Sequence, residues 1–349
     1  MGDMRQDAVP RVLVTGGAGF IGSHLCARLV RDGVQVLAVD NLCDYYDVEL
    51  KHERLQMLRD AASACGASFS FEKLDIANED ALEDAFVRFA PDVVVNLAAQ
   101  AGVRYSQEQP RTYVHSNLAG FLNVLECCRA HPVRQLVYAS SSSVYGDSSV
   151  APFSEDERCD EPESLYAATK RANELMARSY AKLYGICATG LRFFTVYGPM
   201  GRPDMAYFKF TELMACKKPI QLYNMGNMLR DFTYVDDVVE AVVRIVKDGP
   251  VTPAGEVPHR VYNVGHGDPV QLLEFVDTLE EALLREGVID TPAQRELLPM
   301  QPGDVHQTYA DTTRLAQDYD FVPSVSLATG LGEFARWYAQ WRARRSSCA

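Results

Sequence analysis

The sequence predicts an α/β fold, in which a doubly wound parallel sheet is followed by a smaller C-terminal domain. Three observations predict this class. Short apolar runs alternate with helical stretches over about the first 200 residues, as expected for a parallel sheet with helices on both faces. Glycines follow the first apolar run directly and precede a helical stretch. Beyond Gly198, prolines divide the chain into shorter elements that keep apolar stretches, which indicates a second domain and not a linker.

The periodicity predicts the elements of the first domain in order. The strands are residues 12–15, 34–40, 68–74, 93–97, 135–139 and 188–194, which are short apolar runs. The helices are residues 21–32, 81–89, 112–131 and 165–184. We therefore expect residues 10–198 to form mainly the first domain and residues 199–345 mainly the second, with some chain crossing back to the sheet.

Composition limits the partners and the compartment. The 349 residues are 47% hydrophobic, enough for a large core, and the net charge of −13 argues against nucleic acid or an anionic membrane as a partner. The nine cysteines show no CxxC pair and the seven histidines no ligand spacing, so we expect reduced thiols and no metal. The first strand leaves no room for a signal peptide, and no apolar run approaches the ~18 residues of a membrane span. We expect a cytoplasmic protein with no membrane association.

The glycine turn predicts a dinucleotide site. Gly16, Gly19 and Gly22 lie between the first strand and the first helix, and Gly17 provides an alternative G-x-G-x-x-G spacing. Such glycines allow a tight turn and close approach of the backbone to a pyrophosphate, which the helix N-terminus then faces. Asp40 ends the second predicted strand, where its carboxylate can bond the adenosine ribose hydroxyls and repel a 2′-phosphate. The first domain is therefore predicted to be of the Rossmann type and to bind NAD in preference to NADP.

Tyr166 and Lys170 form the most informative pair in the chain. They lie four residues apart in the predicted helix 165–184, and this spacing places both side chains on one face. An ammonium held beside a phenol favours the phenolate, which can act as a base near neutral pH. A solvated tyrosine and lysine are the simpler interpretation of this spacing, but here the pair follows a glycine turn and a serine-rich run at residues 139–146.

Together these motifs resemble those of the extended short-chain dehydrogenase/reductase family, in its branch of nucleotide-sugar epimerases and dehydratases. The resemblance covers nearly the whole chain and keeps the order of the motifs, which are residues 16–22, 96–100, 139–146, 166–170, 191–199, 229–237 and 301–304. Residues 40–47, 99–106 and 201–206 narrow it to the UDP-glucuronate 4-epimerases. The N-terminal membrane anchor of the plant members is missing here, so the chain resembles the soluble bacterial form.

The resemblance implies NAD as cofactor and a UDP-sugar as substrate, with 4-epimerisation of UDP-glucuronate to UDP-galacturonate through a transient 4-keto sugar. Ser141, Tyr166 and Lys170 would form the catalytic set. Ser141 and Tyr166 would bond the sugar 4-hydroxyl, Tyr166 would remove its proton, and Lys170 would hold the nicotinamide ribose. The oxidised cofactor returns in every cycle. The residues implied to bind NAD are Gly16, Gly19, Phe20, Ile21, Gly22, Asp40, Asn41, Asp75, Ile76, Leu97, Ala98, Ala99, Tyr166, Lys170 and Phe193.

The resemblance also implies a substrate site. Arg202 is the main candidate for holding the hexuronate carboxylate and Arg104 the second, whereas Arg192 lies within a strand and is expected to be structural. Arg230 would bind the diphosphate and Asp304 the ribose of the UDP part. The full set implied for the substrate is Arg104, Ser141, Ser142, Ser143, Tyr166, Thr195, Arg202, Arg230 and Asp304.

A homodimer is implied as well. The helices predicted at 112–131 and 165–184 correspond to the pair that forms a four-helix bundle across a two-fold axis in this family. Their outward faces are then expected to carry apolar residues such as Leu122, Leu125, Leu175 and Met176.

Ser142 and Ser143 favour an epimerase over related enzymes. Nucleotide-sugar dehydratases resemble this chain but carry an Asp-Glu pair at these two positions, and UDP-glucuronate decarboxylases carry Glu at the second. Neutral hydroxyls cannot perform the proton transfers of those carboxylates. Two alternatives stay open: a 4-epimerase of another UDP-sugar, such as UDP-galactose or an N-acetylhexosamine, and a catalytically silent NAD(H)-binding member of the family. The sequence also leaves the physiological direction open.

Overall fold

The computed structural model describes residues 10–147, 151–300 and 306–346. The chain divides into two compact units. Unit 1 comprises Met1–Ser140, Leu165–Leu191 and Val239–Val261, and unit 2 comprises Ser141–Ser164, Arg192–Val238 and Tyr262–Ala349, as far as these ranges are described. Each unit takes chain from both sides of the predicted division after Gly198.

The described residues form thirteen strands, which we number in chain order. They are β1 (Arg11–Thr15), β2 (Gln35–Asp40), β3 (Phe69–Lys73), β4 (Val93–Asn96), β5 (Gln135–Ser141), β6 (Ala188–Phe193), β7 (Thr195–Tyr197), β8 (Ile220–Leu222), β9 (Leu229–Arg230), β10 (Phe232–Tyr234), β11 (His259–Val264), β12 (Val270–Gln271) and β13 (Arg295–Leu297).

The described helices are numbered in the same way. They are α1 (Phe20–Arg31), α2 (Val48–Cys65), α3 (Glu79–Phe89), α4 (Tyr105–Glu108), α5 (Pro110–Tyr113), α6 (Gly120–Ala130), α7 (Leu165–Tyr184), α8 (Ala206–Ala215), α9 (Val235–Asp248), α10 (Leu272–Arg285), α11 (Thr313–Tyr319) and α12 (Leu327–Ser346). A π-helical turn, Val114–Ala119, joins α5 to α6.

Unit 1 is organised around a seven-stranded sheet with the order β11-β6-β5-β4-β1-β2-β3. The pairs from β3 through β2, β1 and β4 to β5 are all parallel. The central strands are buried almost throughout, because helices cover both faces of a doubly wound sheet, and this explains their continuous apolar sequences. The order 3-2-1-4-5-6 is that of the Rossmann fold. The predicted fold class is confirmed, and β11 is a strand that the periodicity did not predict.

The helices of unit 1 differ from the prediction at three places, one of which is α9, a helix that was not predicted and lies mostly in unit 1. Helix α2 was not predicted, because its buried face includes the charged residues Lys51 and Arg54 where an amphipathic pattern requires apolar ones. The helix predicted at 112–131 begins earlier, at Pro110, and contains the π-helical turn. Helices α3, α6 and α7 pack on the sheet through a core that includes Phe86, Phe121 and Leu136.

The expected apolar outer faces of α6 and α7 are only partly present. Leu122 is 41% exposed and Leu175 is 55% exposed, in agreement with the expectation. Leu125 is fully buried in the core, and Met176 packs against the same core. The expectation was wrong for Leu125, because that side chain lies on the face of α6 that the core covers.

Unit 2 is built from short elements. Strands β7 and β10 pair in parallel, β8 and β13 pair in parallel, and β9 and β12 pair antiparallel. Helix α8 packs against α12 through aromatic side chains, among them Phe208, Phe334 and Tyr338. These large rings supply the buried area that such short strands cannot supply alone.

In the ranges that the structure describes, no helix combines the length and hydropathy that a membrane span requires. The eight cysteines within those ranges are thiols, and four of them are buried: Cys26, Cys127, Cys128 and Cys159.

Candidate active site

The glycine turn connects β1 to α1 in a conformation that its glycines alone allow. Gly16 has φ +69°, and a side chain there would come within 2.7 Å of the backbone nitrogen of Ala98. The backbone carbonyl of Gly16 in turn accepts a hydrogen bond from the amide of Gly19 at 2.9 Å, and a Cβ on Gly22 would collide with that carbonyl oxygen. The motif therefore folds the chain tightly beside residues 97–98, which follow β4.

The N-terminus of α1 suits an anionic ligand. The N-cap residue is Gly19, whose lack of a side chain leaves the first-turn amides uncapped by it, and the first turn contains no acidic residue. Unsatisfied amides and the positive end of the helix dipole attract a diphosphate. The predicted cofactor residues Phe20, Ile21 and Gly22 form this first turn, so the residues present fit NAD.

Asp40 is a buried carboxylate at the end of β2. Its two oxygens accept hydrogen bonds from the backbone amides of Ala18, at 3.2 Å, and Leu42, at 2.8 Å. Lys51 from α2 lies 3.5 Å from the same carboxylate. Burial opposes the charge on Lys51, but the combined attraction of Asp40, Tyr46 and Cys43 outweighs it and raises the pKa of Lys51 above its ordinary value. An ionised carboxylate has further lone pairs and can still accept hydrogen bonds from ribose hydroxyls.

Lys51 and Arg54 are residues that the sequence reasoning missed. Arg54 is fully buried, and its guanidinium donates to the carbonyl of Ala18 at 3.1 Å and to the Tyr46 hydroxyl at 2.6 Å. With the amide of Ala18 bonded to Asp40 and its carbonyl to Arg54, the glycine turn is held on both sides. Their spacing could have indicated a shared role, since Lys51 and Arg54 lie three residues apart and so share a helix face.

The other predicted cofactor residues of unit 1 follow strands β2, β3 and β4. Asn41 donates to the Asp75 carboxylate at 3.0 Å. Burial alone would raise the pKa of Asp75, but hydrogen bonds from Ala77 and Asn41 lower it below its ordinary value. Ile76 is buried next to Asp75, and three more of these residues directly follow β4: Leu97, Ala98 and Ala99.

The π-helical turn positions a third residue that the sequence analysis missed, Asn117. Asn117 is buried, and its side chain bonds both backbone groups of Gln100, accepting from the amide at 2.8 Å and donating to the carbonyl at 3.0 Å. The side-chain NH₂ group of Asn117 also donates to Thr169 Oγ1 at 3.0 Å. Asn117 thus ties the segment after β4 to α7, and π-helical turns are frequent at functional sites.

Tyr166 and Lys170 lie in the first two turns of α7. Lys170 is buried, and its Nζ donates to the carbonyl of Ala139 in β5 at 2.8 Å. Burial lowers the pKa of the Lys170 ammonium from 10.5 to about 8. Tyr166 is half-buried, and its ring contacts that of Tyr113 edge-on, with 6.1 Å between centroids. Lys170 therefore attaches the start of α7 to β5.

A third residue of α7 strengthens this attachment. Glu174 lies one helical turn after Lys170 and is almost fully buried. Its carboxylate accepts from the Ser140 hydroxyl at 2.6 Å and from Arg171 at 2.9 Å. Consecutive residues of β5, Ala139 and Ser140, are thus each bonded to consecutive turns of α7.

The serine run belongs to unit 2 from Ser141 onward. Ser141 ends β5, and its hydroxyl accepts from the amide of Ser143 at 3.2 Å and donates to the Ser143 hydroxyl at 3.1 Å. A 3₁₀ turn, Ser142–Tyr145, begins immediately after it. Both Ser142 and Ser143 are partly exposed. The sequence analysis expected neutral hydroxyls at Ser142 and Ser143, and both residues lie in the turn that follows the buried strand β5.

Four other predicted residues of unit 2 lie at the ends of short strands or in loops. Phe193 is a buried residue that ends β6, and Thr195 begins β7. Arg202 forms a two-point ion pair with Asp204, with distances of 3.0 and 2.5 Å. Arg230 donates to the carbonyls of Leu229 and His306. Arg202 therefore already has an acidic partner within its own motif.

The structure places Arg104 and Arg192 differently, and it does not describe Asp304. Arg104 is exposed and directly precedes α4 in unit 1. Arg192 is buried with its guanidinium 4.7 Å from the ring centroid of Tyr145, as expected for a structural arginine. Asp304 lies outside the described residues. Within the described ranges, no group of three or more His, Cys, Asp or Glu side chains could hold a metal ion.

Comparison with known proteins identifies relatives over nearly the whole chain. The model of the NAD dependent epimerase/dehydratase family matches residues 12–265. Protein CapI of Staphylococcus aureus is 49% identical over 343 residues, which are 95% of this chain and 99% of the relative. UDP-glucuronate 4-epimerase 2 of Arabidopsis thaliana is 44% identical over 338 residues, which are 94% of this chain and 75% of the relative.

Solved structures of epimerases have a similar fold. UDP-glucuronic acid 4-epimerase from Bacillus cereus, in complex with UDP-glucuronic acid and NAD, is similar with a TM-score of 0.83 and 32% identity, covering 95% of this chain and 99% of that one. UDP-glucose 4-epimerase from Thermotoga maritima, with UDP-glucose, is similar with a TM-score of 0.80 and 30% identity, covering 95% and 99%. Backbone similarity by itself therefore does not separate acidic from neutral sugars.

Proposed function

The chain belongs to the NAD dependent epimerase/dehydratase family, and from this membership we propose that it is a 4-epimerase of UDP-glucuronate. It would interconvert UDP-glucuronate and UDP-galacturonate through a transient 4-keto sugar. The observation that carries the proposal is the Tyr166–Lys170 pair on α7, whose lysine donates a hydrogen bond to the carbonyl of Ala139 in β5. Relatives that are named UDP-glucuronate 4-epimerases support the choice of substrate.

NAD is the cofactor of the proposed reaction. When bound, it supplies the hydride acceptor that oxidises C4 of the sugar and the hydride donor that reduces it again. The uncapped N-terminus of α1 would bind its diphosphate, and Asp40 its adenosine ribose. Because the two hydride transfers cancel, the protein consumes no cofactor.

The residues of the chain would move the proton. Tyr166 as phenolate would take the proton of the sugar 4-hydroxyl, and Ser141 would hold that hydroxyl by a hydrogen bond. Lys170 would keep the phenolate form accessible, because a nearby ammonium lowers the pKa of a phenol. The lowered pKa of Lys170, about 8, still leaves it largely protonated at neutral pH.

The substrate carboxylate needs a restraint of its own. A 4-keto hexuronate is a β-keto acid, which loses CO₂ easily when its carboxylate aligns for cleavage. Arg202 would hold that carboxylate, with Arg104 as the second candidate, while Ser142, Ser143 and Thr195 offer short neutral hydroxyls. Since Arg202 is paired with Asp204 at 2.5 Å, the substrate carboxylate would have to share the guanidinium or displace Asp204. Arg230 would bind the diphosphate, and Asp304 stays a prediction for the ribose.

A second candidate is a 4-epimerase of neutral UDP-sugars, which the similarity to a UDP-glucose 4-epimerase favours. The two functions share every residue of the proton transfer, so they differ only in the group that contacts C6. An arginine paired with the substrate discriminates against a neutral hydroxymethyl group, because the guanidinium would lose a charge-assisted hydrogen bond.

The experiment is a direct assay with a substrate panel. Purified protein is incubated with UDP-glucuronate, UDP-glucose, UDP-galactose and UDP-N-acetylglucosamine, and the products are identified by NMR. We expect UDP-galacturonate from UDP-glucuronate at a rate well above that of the neutral sugars, with NAD(H) released when the protein is denatured. Faster turnover of a neutral sugar would support the second candidate, and turnover of none would indicate a silent family member.

We also propose a homodimer that forms through α6 and α7 and acts in the cytoplasm. The support for the dimer is the set of large apolar side chains exposed on these helices, which includes Leu122, Leu175 and Leu183. A solvent-exposed row of this kind is unfavourable unless a partner covers it. Cell fractionation would test the compartment.

A further inference from the structure

Asp231 is a fully buried carboxylate that no part of the proposed mechanism uses. It lies between β9 and β10 in unit 2. One carboxylate oxygen accepts from the amide of His266 at 2.7 Å, and the other accepts from the amides of Gly267 and Ala310, each at 3.0 Å. The Thr233 hydroxyl lies 3.4 Å from the first oxygen. A single side chain thus joins three segments that are distant in the sequence.

The backbone of Asp231 extends this junction to the predicted substrate residues. Its carbonyl accepts from the amide of Thr195 at 3.1 Å, and its own amide donates to Thr308 Oγ1 at 3.1 Å. The preceding residue is Arg230, whose guanidinium donates to the carbonyl of His306 at 3.1 Å. The residues proposed for the diphosphate and the sugar are therefore bonded to Asp231 or adjacent to it.

The junction is closely packed and needs a carboxylate. A Cβ on Gly265 would lie 2.5 Å from the Ala310 side chain and 2.9 Å from a carboxylate oxygen of Asp231. Burial raises the pKa of Asp231, whereas the backbone amides of Ala310, His266 and Gly267 favour its ionised form. Four donors converge on Asp231, and an ionised carboxylate can accept from all of them because it has two acceptor oxygens and no donor. An asparagine of the same shape would turn an NH₂ group toward at least one of those donors.

We propose that Asp231 is a positioning residue for the UDP half of the substrate, because it fixes Arg230 and Thr195 against the segments at 265–267 and 308–310. This inference rests on the proposed function for the assignment of Arg230 and Thr195 to the substrate. Asp231 itself acts through its neighbours. Loss of its carboxylate is expected to weaken binding of the nucleotide part, which stays the same through the reaction, and so to raise KM while kcat changes little.

Asp237 provides a matched control in the same unit. It is also a buried aspartate whose carboxylate accepts from backbone amides, those of Ser324 at 3.2 Å and Val325 at 3.0 Å. It joins α9 to the segment before α12, and these bonds involve neither Arg230 nor Thr195. Asp237→Asn therefore removes the same kind of bond with no expected effect on UDP.

The test measures UDP affinity by calorimetry on Asp231→Asn, Asp237→Asn and wild-type protein as purified with its cofactor. We expect Asp231→Asn to raise the Kd of UDP about 10- to 100-fold, since two or more hydrogen bonds to a charged group are lost. Asp237→Asn should keep the Kd within about twofold of wild type. Both variants should lower the Tm, and both should retain wild-type NAD(H) content.

A UDP affinity of Asp231→Asn within twofold of wild type would overturn the proposal, as would an equal loss in Asp237→Asn, which would indicate general loosening. If Asp231→Asn does not fold, Thr308→Val is the decisive variant, because it removes one hydrogen bond to the backbone of Asp231. This variant should raise the Kd of UDP several-fold, and an unchanged Kd would refute the proposal. Failure of the proposed function looks different. Wild-type protein that binds UDP but does not epimerise UDP-glucuronate refutes only the function, and wild-type protein that does not bind UDP refutes both.

Discussion

Replacing Lys170 by methionine should stabilise the protein at neutral pH and abolish its activity. Lys170 is 3% exposed, and burial lowers the pKa of its ammonium from 10.5 to about 8. The fold therefore holds a charge in a place that disfavours it. Methionine keeps most of the apolar stem and removes the charge, so that the substitution separates the cost of burial from the packing of the side chain.

The magnitude follows from the pKa shift. Between pH 8 and 10.5 the unfolded chain binds more protons at this lysine than the folded protein, so the free energy of unfolding rises with pH over that window. The cost of the charged lysine is complete below pH 8 and is gone above 10.5. This cost amounts to about 3 kcal/mol at pH 7 and about 1 kcal/mol at pH 9.5. From pH 7 to pH 9.5, the free energy of unfolding of wild type should therefore rise by about 2 kcal/mol relative to that of Lys170→Met.

The assay is denaturant unfolding of wild type and Lys170→Met at matched cofactor content from pH 7 to 9.5, together with turnover. Part of the expected gain at pH 7 is offset by the lost hydrogen bond to Ala139, worth about 1 kcal/mol. The pH dependence of the difference is therefore the decisive quantity. Turnover should fall at least about 100-fold, because Tyr166 loses its ammonium neighbour.

Lys182→Met is the control, since Lys182 is an exposed residue of the same helix. It should change neither the pH dependence of unfolding nor turnover. A stability difference between wild type and Lys170→Met that stays constant from pH 7 to 9.5 would refute the burial argument. Turnover of the variant within tenfold of wild type would refute the role of Lys170 in the reaction.

Three other predictions address the proton acceptor, the carboxylate and the assembly. Tyr166→Phe should lower turnover by about 10²- to 10⁴-fold with NAD(H) still bound; more than about a tenth of wild-type activity would exclude Tyr166 as the base. Arg202→Ala should lower kcat/KM for UDP-glucuronate about 10- to 100-fold more than for UDP-glucose and raise the pentose by-product, whereas equal losses for both sugars would leave Arg104 as the leading candidate. Light scattering at micromolar concentration should give the mass of a dimer, and Leu175→Glu should shift it toward the monomer because a charge would enter the apolar contact; a monomeric wild type would exclude the dimer.

The sequence by itself determined the features that depend on neighbouring residues. The strand–glycine–helix order predicted the Rossmann-type sheet, and the structure confirms that fold class. The family was predictable for the same reason, since its motifs are short runs of adjacent residues. The spacing of Tyr166 and Lys170 lies within one helix, so one local period sufficed to place both on one face.

Helix α2 is an element that the local sequence pattern did not predict. Its period was obscured because Lys51 and Arg54 occupy buried positions, and a pattern search expects apolar residues there. These cations are stable only because Asp40 and the carbonyl of Ala18 reach them from other segments. Leu125 was misplaced for a related reason: the period of α6 does not say which apolar residue the sheet covers.

Only the tertiary structure decided the remaining connections. The bonds from Asn117 to Gln100, from Glu174 to Ser140 and from Asp231 to Ala310 join residues that are 17, 34 and 79 positions apart. No periodicity encodes such pairs, because a buried polar group needs a partner but its sequence does not say which one. The fold selects that partner by bringing strand ends and helix turns together, and the residues that hold the candidate site in place are therefore the ones that the sequence left unassigned.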